Sequence, residues 1–220
     1  RPHATKSVIV TDLRCEYLKN PKGIDLSKPR LSWIIETAGK HTHGVMQKSY
    51  QLIVSSSLKN LNTNTGDVWD SKWVNSPGTH HITYSGTSLI SDRTYYWKVR
   101  VKDQSGAISD WSEPATFTTG FLSAGEWLGK WIGDQQRFVD NGKDCNIWDP
   151  WFRKKIVLTE KPGRAFIYVA SVGYHELYIN GKKIGNDVLA PATSDHTKRA
   201  RYIAYDITDY LLKGENLVAL

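Results

Sequence analysis

The chain has 220 residues, 40% hydrophobic and 23% charged, with 29 Lys and Arg against 22 Asp and Glu for a net charge of +7. That is a globular composition with room for one or two domains, which excludes a disordered or collagen-like chain. No run approaches the roughly 18 consecutive apolar residues that a membrane-spanning helix needs.

The basic excess is spread out: residues 1–120 hold 15 basic and 10 acidic side chains, and residues 121–220 hold 14 and 12. Its longest clusters, such as Lys198-Arg199-Ala200-Arg201, are short. This argues for solvated strand faces and against a nucleic-acid partner. Nine Trp and eleven Tyr stand against one Met, and 17 Gly and 8 Pro are scattered throughout. Such a mix favours short strands joined by turns, so the expected class is all-β.

Residues 8–119 read as a series of short strands. Arg30 to Ile35 follows Pro29, and Ser49 to Val54 alternates with Tyr50, Leu52 and Val54 on one face. An Asn-rich loop at 60–66 leads to a strand from Val68 to Val74, then to another from His80 to Tyr84. The clearest strand is Thr94 to Lys102, where Tyr95, Trp97, Val99 and Val101 face one way and Lys98, Arg100 and Lys102 the other. Alternation of that length means one buried and one wet face. Gln104-Ser105-Gly106 turns the chain into Trp111 and a last strand from Ala115 to Thr119. About seven strands with turns every 8–12 residues describe an immunoglobulin-like sandwich.

Gly120 to Trp131, with three glycines and no sustained alternation, is the predicted junction, giving domains 1–120 and 121–220. Strands resume from Trp151 to Leu158, Arg164 to Ala170 and Tyr174 to Ile179. Asn180-Gly181 then leads into Lys182 to Ile184, a strong hairpin signal because both turn positions need positive φ. Tyr202 to Tyr205 is a further strand, and one helical turn is predicted within Asp206 to Leu212. Leu217 to Leu220 opens an alternation with no closing turn, so the second sandwich is expected to be cut short. Cys15 and Cys145 lie 130 residues apart in different predicted domains and are expected to stay unbridged. The chain starts at Arg1 without an apolar leader, and no Asn-x-Ser/Thr acceptor occurs. These features fit a mature or engineered start and argue against a glycosylated eukaryotic secreted protein.

The stretch Tyr95-Tyr96-Trp97-Lys98-Val99-Arg100-Val101, with Ser109-Asp110-Trp111-Ser112-Glu113-Pro114, resembles the end of a fibronectin type III module. The run from Tyr168 to Pro191, with Ile179-Asn180-Gly181 inside it, is similar to the N-terminal β-sandwich of bacterial α-L-rhamnosidases, glycoside hydrolase family 78. Lys198-Arg199, Tyr202, Tyr205 to Leu212, Gly214-Glu215-Asn216, Trp131-Ile132 and Trp151 to Lys154 continue that likeness. One departure is Pro191-Ala192-Thr193-Ser194, where the family usually carries Pro-Gly-Trp-Thr-type residues.

The resemblance implies two consecutive β-sandwiches, the first immunoglobulin or fibronectin III-like and the second jelly-roll-like. It implies a parent enzyme that hydrolyses terminal α-L-rhamnose by inversion in a downstream (α/α)6 barrel. The catalytic carboxylates would belong to that barrel, so no catalytic residue is assigned here and the segment alone is expected to be inactive. Expected partners are a rhamnose-containing carbohydrate and the rest of the same polypeptide. The expected location is periplasmic or secreted. The alternative is a free-standing carbohydrate-binding or adhesin-type protein.

Local chemistry supports few sites. Asp206 and Asp209 flank Ile207-Thr208 as turn-capping acids would, and Asp144 with Asp149 is the other carboxylate pair. Ser194-Asp195-His196 lacks the glycines of a nucleophile elbow. Gly181 to Gly185 is a hairpin rather than a phosphate cradle. His41 with His43, and His80 with His81, lack further ligands at metal spacing. Trp111 reads as core more than as a sugar platform, while Trp148 and Trp151 suit either a sugar-stacking face or the core. Some family members bind rhamnose through calcium held by an adjacent Asp/Asn pair. By that likeness Asn186 and Asp187 are the candidate carbohydrate and calcium ligands; no cofactor is required.

Overall fold

The computed structural model describes residues 8–37, 44–133 and 150–220. The chain is all-β and divides into two compact units, Arg1–Trp127 and Leu128–Leu220. Among the described residues no helix is long and apolar enough to cross a membrane.

The first unit contains β1 (Val8–Cys15), β2 (Arg30–Thr37), β3 (Gln47–Ser55), α1 (Leu58–Asn62), β4 (Trp69–Asp70), β5 (Val74–Asn75), β6 (Ile82–Thr83), β7 (Thr94–Asp103) and β8 (Ala115–Thr118). One sheet runs β1-β2-β6; the other runs β4-β3-β7-β8, with β5 also on β3. Period-2 alternation aims Val8, Val10, Leu31 and Trp33 of the first sheet at Tyr50, Leu52, Val54, Trp97, Val99, Val101 and Phe117 of the second, forming one core. Two of its polar tips are bonded: Trp33 Nε1 donates to Gln47 Oε1 at 3.0 Å, and Tyr95 OH accepts from the Ile90 N–H at 2.8 Å. That second bond is a tyrosine corner, which ties β7 to the loop before it. After β8, Leu122 packs on this core and Phe121 meets Trp127 edge-on at 5.2 Å.

Three elements depart from the sequence reading. The first part of the loop expected at 60–66 is taken up by α1, where Ser57 Oγ caps the Asn60 N–H at 3.2 Å and Leu61 is fully buried. The strand expected from Val68 to Val74 is two short strands, because Lys72 adopts φ +53° between them. β1 has no clear strand signal in the sequence, because its alternation breaks at a bulge between Thr11 and Arg14, where Asp12 has φ +48°.

Cys15 is 1% exposed at the end of β1, and burial pushes its thiol up to about 12. Cys145 lies outside the described residues. Only the thiolate attacks electrophiles, so Cys15 should resist a thiol reagent at about pH 8 until the protein unfolds. Labelling a Cys145→Ser variant checks this; rapid labelling of the folded protein would contradict it.

The second unit contains β9 (Arg153–Leu158), β10 (Phe166–Ala170), β11 (Leu177–Ile179), β12 (Lys182–Ile184), β13 (Tyr202–Asp206) and β14 (Gly214–Ala219). Four strands run β12-β11-β14-β9 and β10 pairs with β13, all antiparallel. The core is Val169, Leu177, Ile179, Ile184, Tyr205, Ile207 and Leu211. β14, read from Leu217 onward in the sequence, is a central strand bonded to both β11 and β9. The helical turn near its start is a single 3-10 turn, Thr208–Tyr210.

Candidate functional site

The β11–β12 hairpin sets the geometry of the candidate site. Asn180 and Gly181 take φ +51° and +78°, as a two-residue hairpin turn with both positions left-handed requires. The Asn180 side chain has a second task. Its Oδ1 accepts from the Leu217 N–H, and its Nδ2 donates to Tyr210 O and Asn216 Oδ1. Asn216, 1% exposed, in turn bonds Leu212 N and O and Gly214 O, all within 3.0 Å. The half-buried Asn180 and the buried Asn216 therefore lock the hairpin to the segment entering β14.

After β12 the chain turns at Gly185, φ +77°, where a Cβ would sit 3.4 Å from the Tyr205 ring. Tyr205 is held by His175 Nε2 at 3.1 Å, and His175 Nδ1 meets Ser171 Oγ at 2.8 Å. Burial pulls the His175 pKa down; burial first, and then the charge of Asp187, pushes Tyr205 up. Beyond this part-buried chain of hydrogen bonds, Asn186 and Asp187 are exposed. The His175 N–H donates to Ala190 O at 2.9 Å, which brings residues 171–175 beside residues 185–191. A shallow cleft of about 180 Å³ opens there, lined by Gly173, Tyr174, Pro191, Ala192, Thr193 and His196. Sequence reasoning missed both the cleft and this chain of bonds because it read Tyr174 to Ile179 as strand; β11 starts only at Leu177.

The other candidates fall as follows. Trp151 is 93% exposed, so it is not core in this chain; Trp148 lies outside the described residues. Trp111 is half-buried and stacks on cations, with Arg100 at 4.6 Å and Lys98 at 5.3 Å from its ring centre. Asp206 Oδ1 accepts from Thr208 N and Oγ1, and Asp209 is exposed, so this pair does turn chemistry. Asp144, Asp149, His41 and His43 lie outside the described residues. Asp195 takes bonds from Thr197 N and Oγ1 and an ion pair from Lys198, while Ser194 Oγ donates to Arg199 O. The three neighbours thus face away from triad geometry. His81 bonds Tyr17 OH at 2.8 Å, with His80 edge-on to it. Among the described residues no three His, Cys, Asp or Glu gather to hold a metal. Asn186 and Asp187 offer the hard oxygen donors calcium takes, but calcium prefers 6–8 oxygens, so the described residues do not complete its cage.

The sequence pattern of the Rha78A-like, N-terminal immunoglobulin domain matches residues 10–123, and that of the Alpha-L-rhamnosidase N-terminal domain matches residues 160–220. The chain belongs to the N-terminal modules of the α-L-rhamnosidase family. An α-L-rhamnosidase of Formosa agariphila is 37% identical over 218 residues, covering 91% of this chain and 22% of that protein. The solved α-L-rhamnosidase of Dictyoglumus thermophilum superposes with a TM-score of 0.84 at 35% identity, covering 96% of this chain and 24% of that one. The α-L-rhamnosidase of Streptomyces avermitilis, solved in complex with L-rhamnose, superposes at 0.55 with 28% identity, covering 96% of this chain and 21% of that one. The chain thus spans about a fifth of the length of the curated α-L-rhamnosidases it matches.

Proposed function

We propose that the chain is the non-catalytic N-terminal segment of an α-L-rhamnosidase, in which both sandwiches scaffold a downstream catalytic domain. The observation that carries this reading is the coverage: nearly the whole chain aligns with α-L-rhamnosidases of which it makes up only about a fifth. The parent would release terminal α-L-rhamnose with inversion, which needs a general acid and a general base about 6.5–9.5 Å apart with water between them. The described Asp206 and Asp209 are a poor match, since the first is committed to Thr208. The parent's location would be periplasmic or secreted.

The second sandwich would add a sugar contact at Asn186 and Asp187, where a calcium ion would join their oxygens to vicinal hydroxyls. The remaining ligands would come from outside the described residues. Trp151, being exposed, and Trp148 are the proposed stacking partners for sugar C–H groups.

Two measurements test this. The purified 220-residue chain should give only background on an aryl α-L-rhamnoside, while the parent polypeptide turns it over. Activity in the purified chain that disappears on changing Asp144, Asp149, Asp206 or Asp209 would overturn the non-catalytic reading. Rhamnose titrated into the parent should bind more weakly with a chelator and in Asp187→Ala. Equal affinity in all arms would remove the cation-linked contact and leave the scaffold role standing.

A further inference from the structure

The outward face of β7 carries a feature that rhamnose binding does not use. Lys98, Arg100 and Lys102 occupy alternate positions, about 7 Å apart along the strand. Two indoles are inserted between them. Trp111 lies 5.3 Å from Lys98 and 4.6 Å from Arg100; Trp73 lies 5.1 Å from Arg100 and 4.1 Å from Lys102.

The row is held in place by its neighbours. Ser109 and Ser112 flank Trp111 and accept the Val101 and Val99 N–H groups at 3.0 and 3.2 Å. Gln51 Oε1, across on β3, accepts from Arg100 Nε and Nη2 at 3.0 and 2.7 Å. The nearby carboxylate, Asp70, is occupied by Gln51 Nε2 and by Lys72. Among the described residues no carboxylate pairs with Lys98, Arg100 or Lys102. Lys98 is 7% exposed, and burial pulls its pKa down.

A buried cation without a counter-charge is costly, and cation–π contact offsets only part of that cost. The half-buried Arg100 and Lys102, rigidly spaced and lacking acids, present donors with little further ordering to lose on meeting oxyanions. The indoles have cations against their faces, so they do not form the stacking platform that single-stranded nucleic acid uses.

We propose that this ladder is a binding surface for an acidic polysaccharide, a linear glycan whose carboxylate or sulfate groups meet Arg100 and Lys102, with Lys98 adding its charge from beneath. The site is separate from Asn186 and Asp187 and stands or falls without them. It would hold the module on a charged glycan whatever sugar the parent cleaves.

The test uses the 220-residue chain at low ionic strength, where screening is weak, with four probes: polygalacturonate, dextran sulfate, neutral dextran and duplex DNA. At least one acidic glycan should bind, and neutral dextran should not. Combining Lys98→Met with Lys102→Gln should weaken binding about tenfold or more, a loss of roughly 1.4 kcal/mol. A control that removes the same charge elsewhere, Lys161→Gln with Lys213→Gln, should change it less than about twofold. If thermal unfolding shows the double ladder variant misfolded, the half-exposed Lys102→Gln alone is read, and it must still weaken binding more than the control. Equal losses in ladder and control variants, no acidic-glycan binding, or tighter binding to DNA than to either glycan would each overturn the proposal.

Discussion

Trp97→Ala should destabilise the first unit by about 3–5 kcal/mol, a large share of the roughly 5–15 kcal/mol that holds an ordinary domain folded. Trp97 is fully buried at the middle of β7, between the two sheets that make the core. Truncation removes a large apolar surface and leaves a cavity that a cross-bonded β3–β7–β8 sheet cannot collapse around. A companion variant separates packing from polarity. Trp97 Nε1 is buried with no hydrogen-bond partner among the described residues, so Trp97→Phe removes an unsatisfied donor along with part of the ring. It should cost far less than alanine, because the lost packing is partly offset by relief of that orphaned group. Denaturant unfolding followed by circular dichroism reads both. Because the chain has two units, the first unit's transition must be resolved before a single free energy is quoted. Equal costs for Ala and Phe would contradict this account of the core.

Asn216→Ala should be damaging in the second unit, at about 2–3 kcal/mol. The substitution takes from the Leu212 N–H, the Leu212 and Gly214 carbonyls and the Asn180 amide the partner that Asn216, itself 1% exposed, supplies. An orphan that stays buried costs about 1–3 kcal/mol, and water reaching the Leu212 and Gly214 groups keeps the sum well below simple addition. Amide hydrogen exchange should accelerate first in β11, β12 and β14, which the two asparagines join. A variant that unfolds without loss of protection at that hairpin would show that the amide pair does not tie it down.

The legible parts of the fold were those set by local chemistry. β7 announced itself because five alternations from Thr94 to Asp103 leave no other way to hide Tyr95, Trp97, Val99 and Val101. Asn180-Gly181 was legible because few other dipeptides accept two left-handed positions. What escaped depends on distant contacts or on backbone that breaks the pattern. α1 lies in Asn-rich sequence with little helical periodicity, and packing of Leu61 over β3 and β7 decides it. The Val68 to Val74 strand looked continuous because its break is a left-handed Lys72, a residue type with no special preference for that conformation.

The candidate site shows the same division. The exposed, post-hairpin position of Asn186 and Asp187 follows from the turn, but their proposed sugar role comes from family likeness. The cleft at Tyr174 joins residues about 20 apart in sequence through one backbone bond from His175 to Ala190. The cationic row of β7 was visible as a wet face. Its indoles were not, because Trp73 and Trp111 reach that face from separate connections.

The most direct test of the central claim is the intact mass of the native polypeptide that carries this sequence, measured on material purified by its activity on an aryl α-L-rhamnoside. A segment that is about a fifth of an α-L-rhamnosidase predicts a single species several times heavier than 24.9 kDa. A native product of 24.9 kDa that carries the activity would contradict the account.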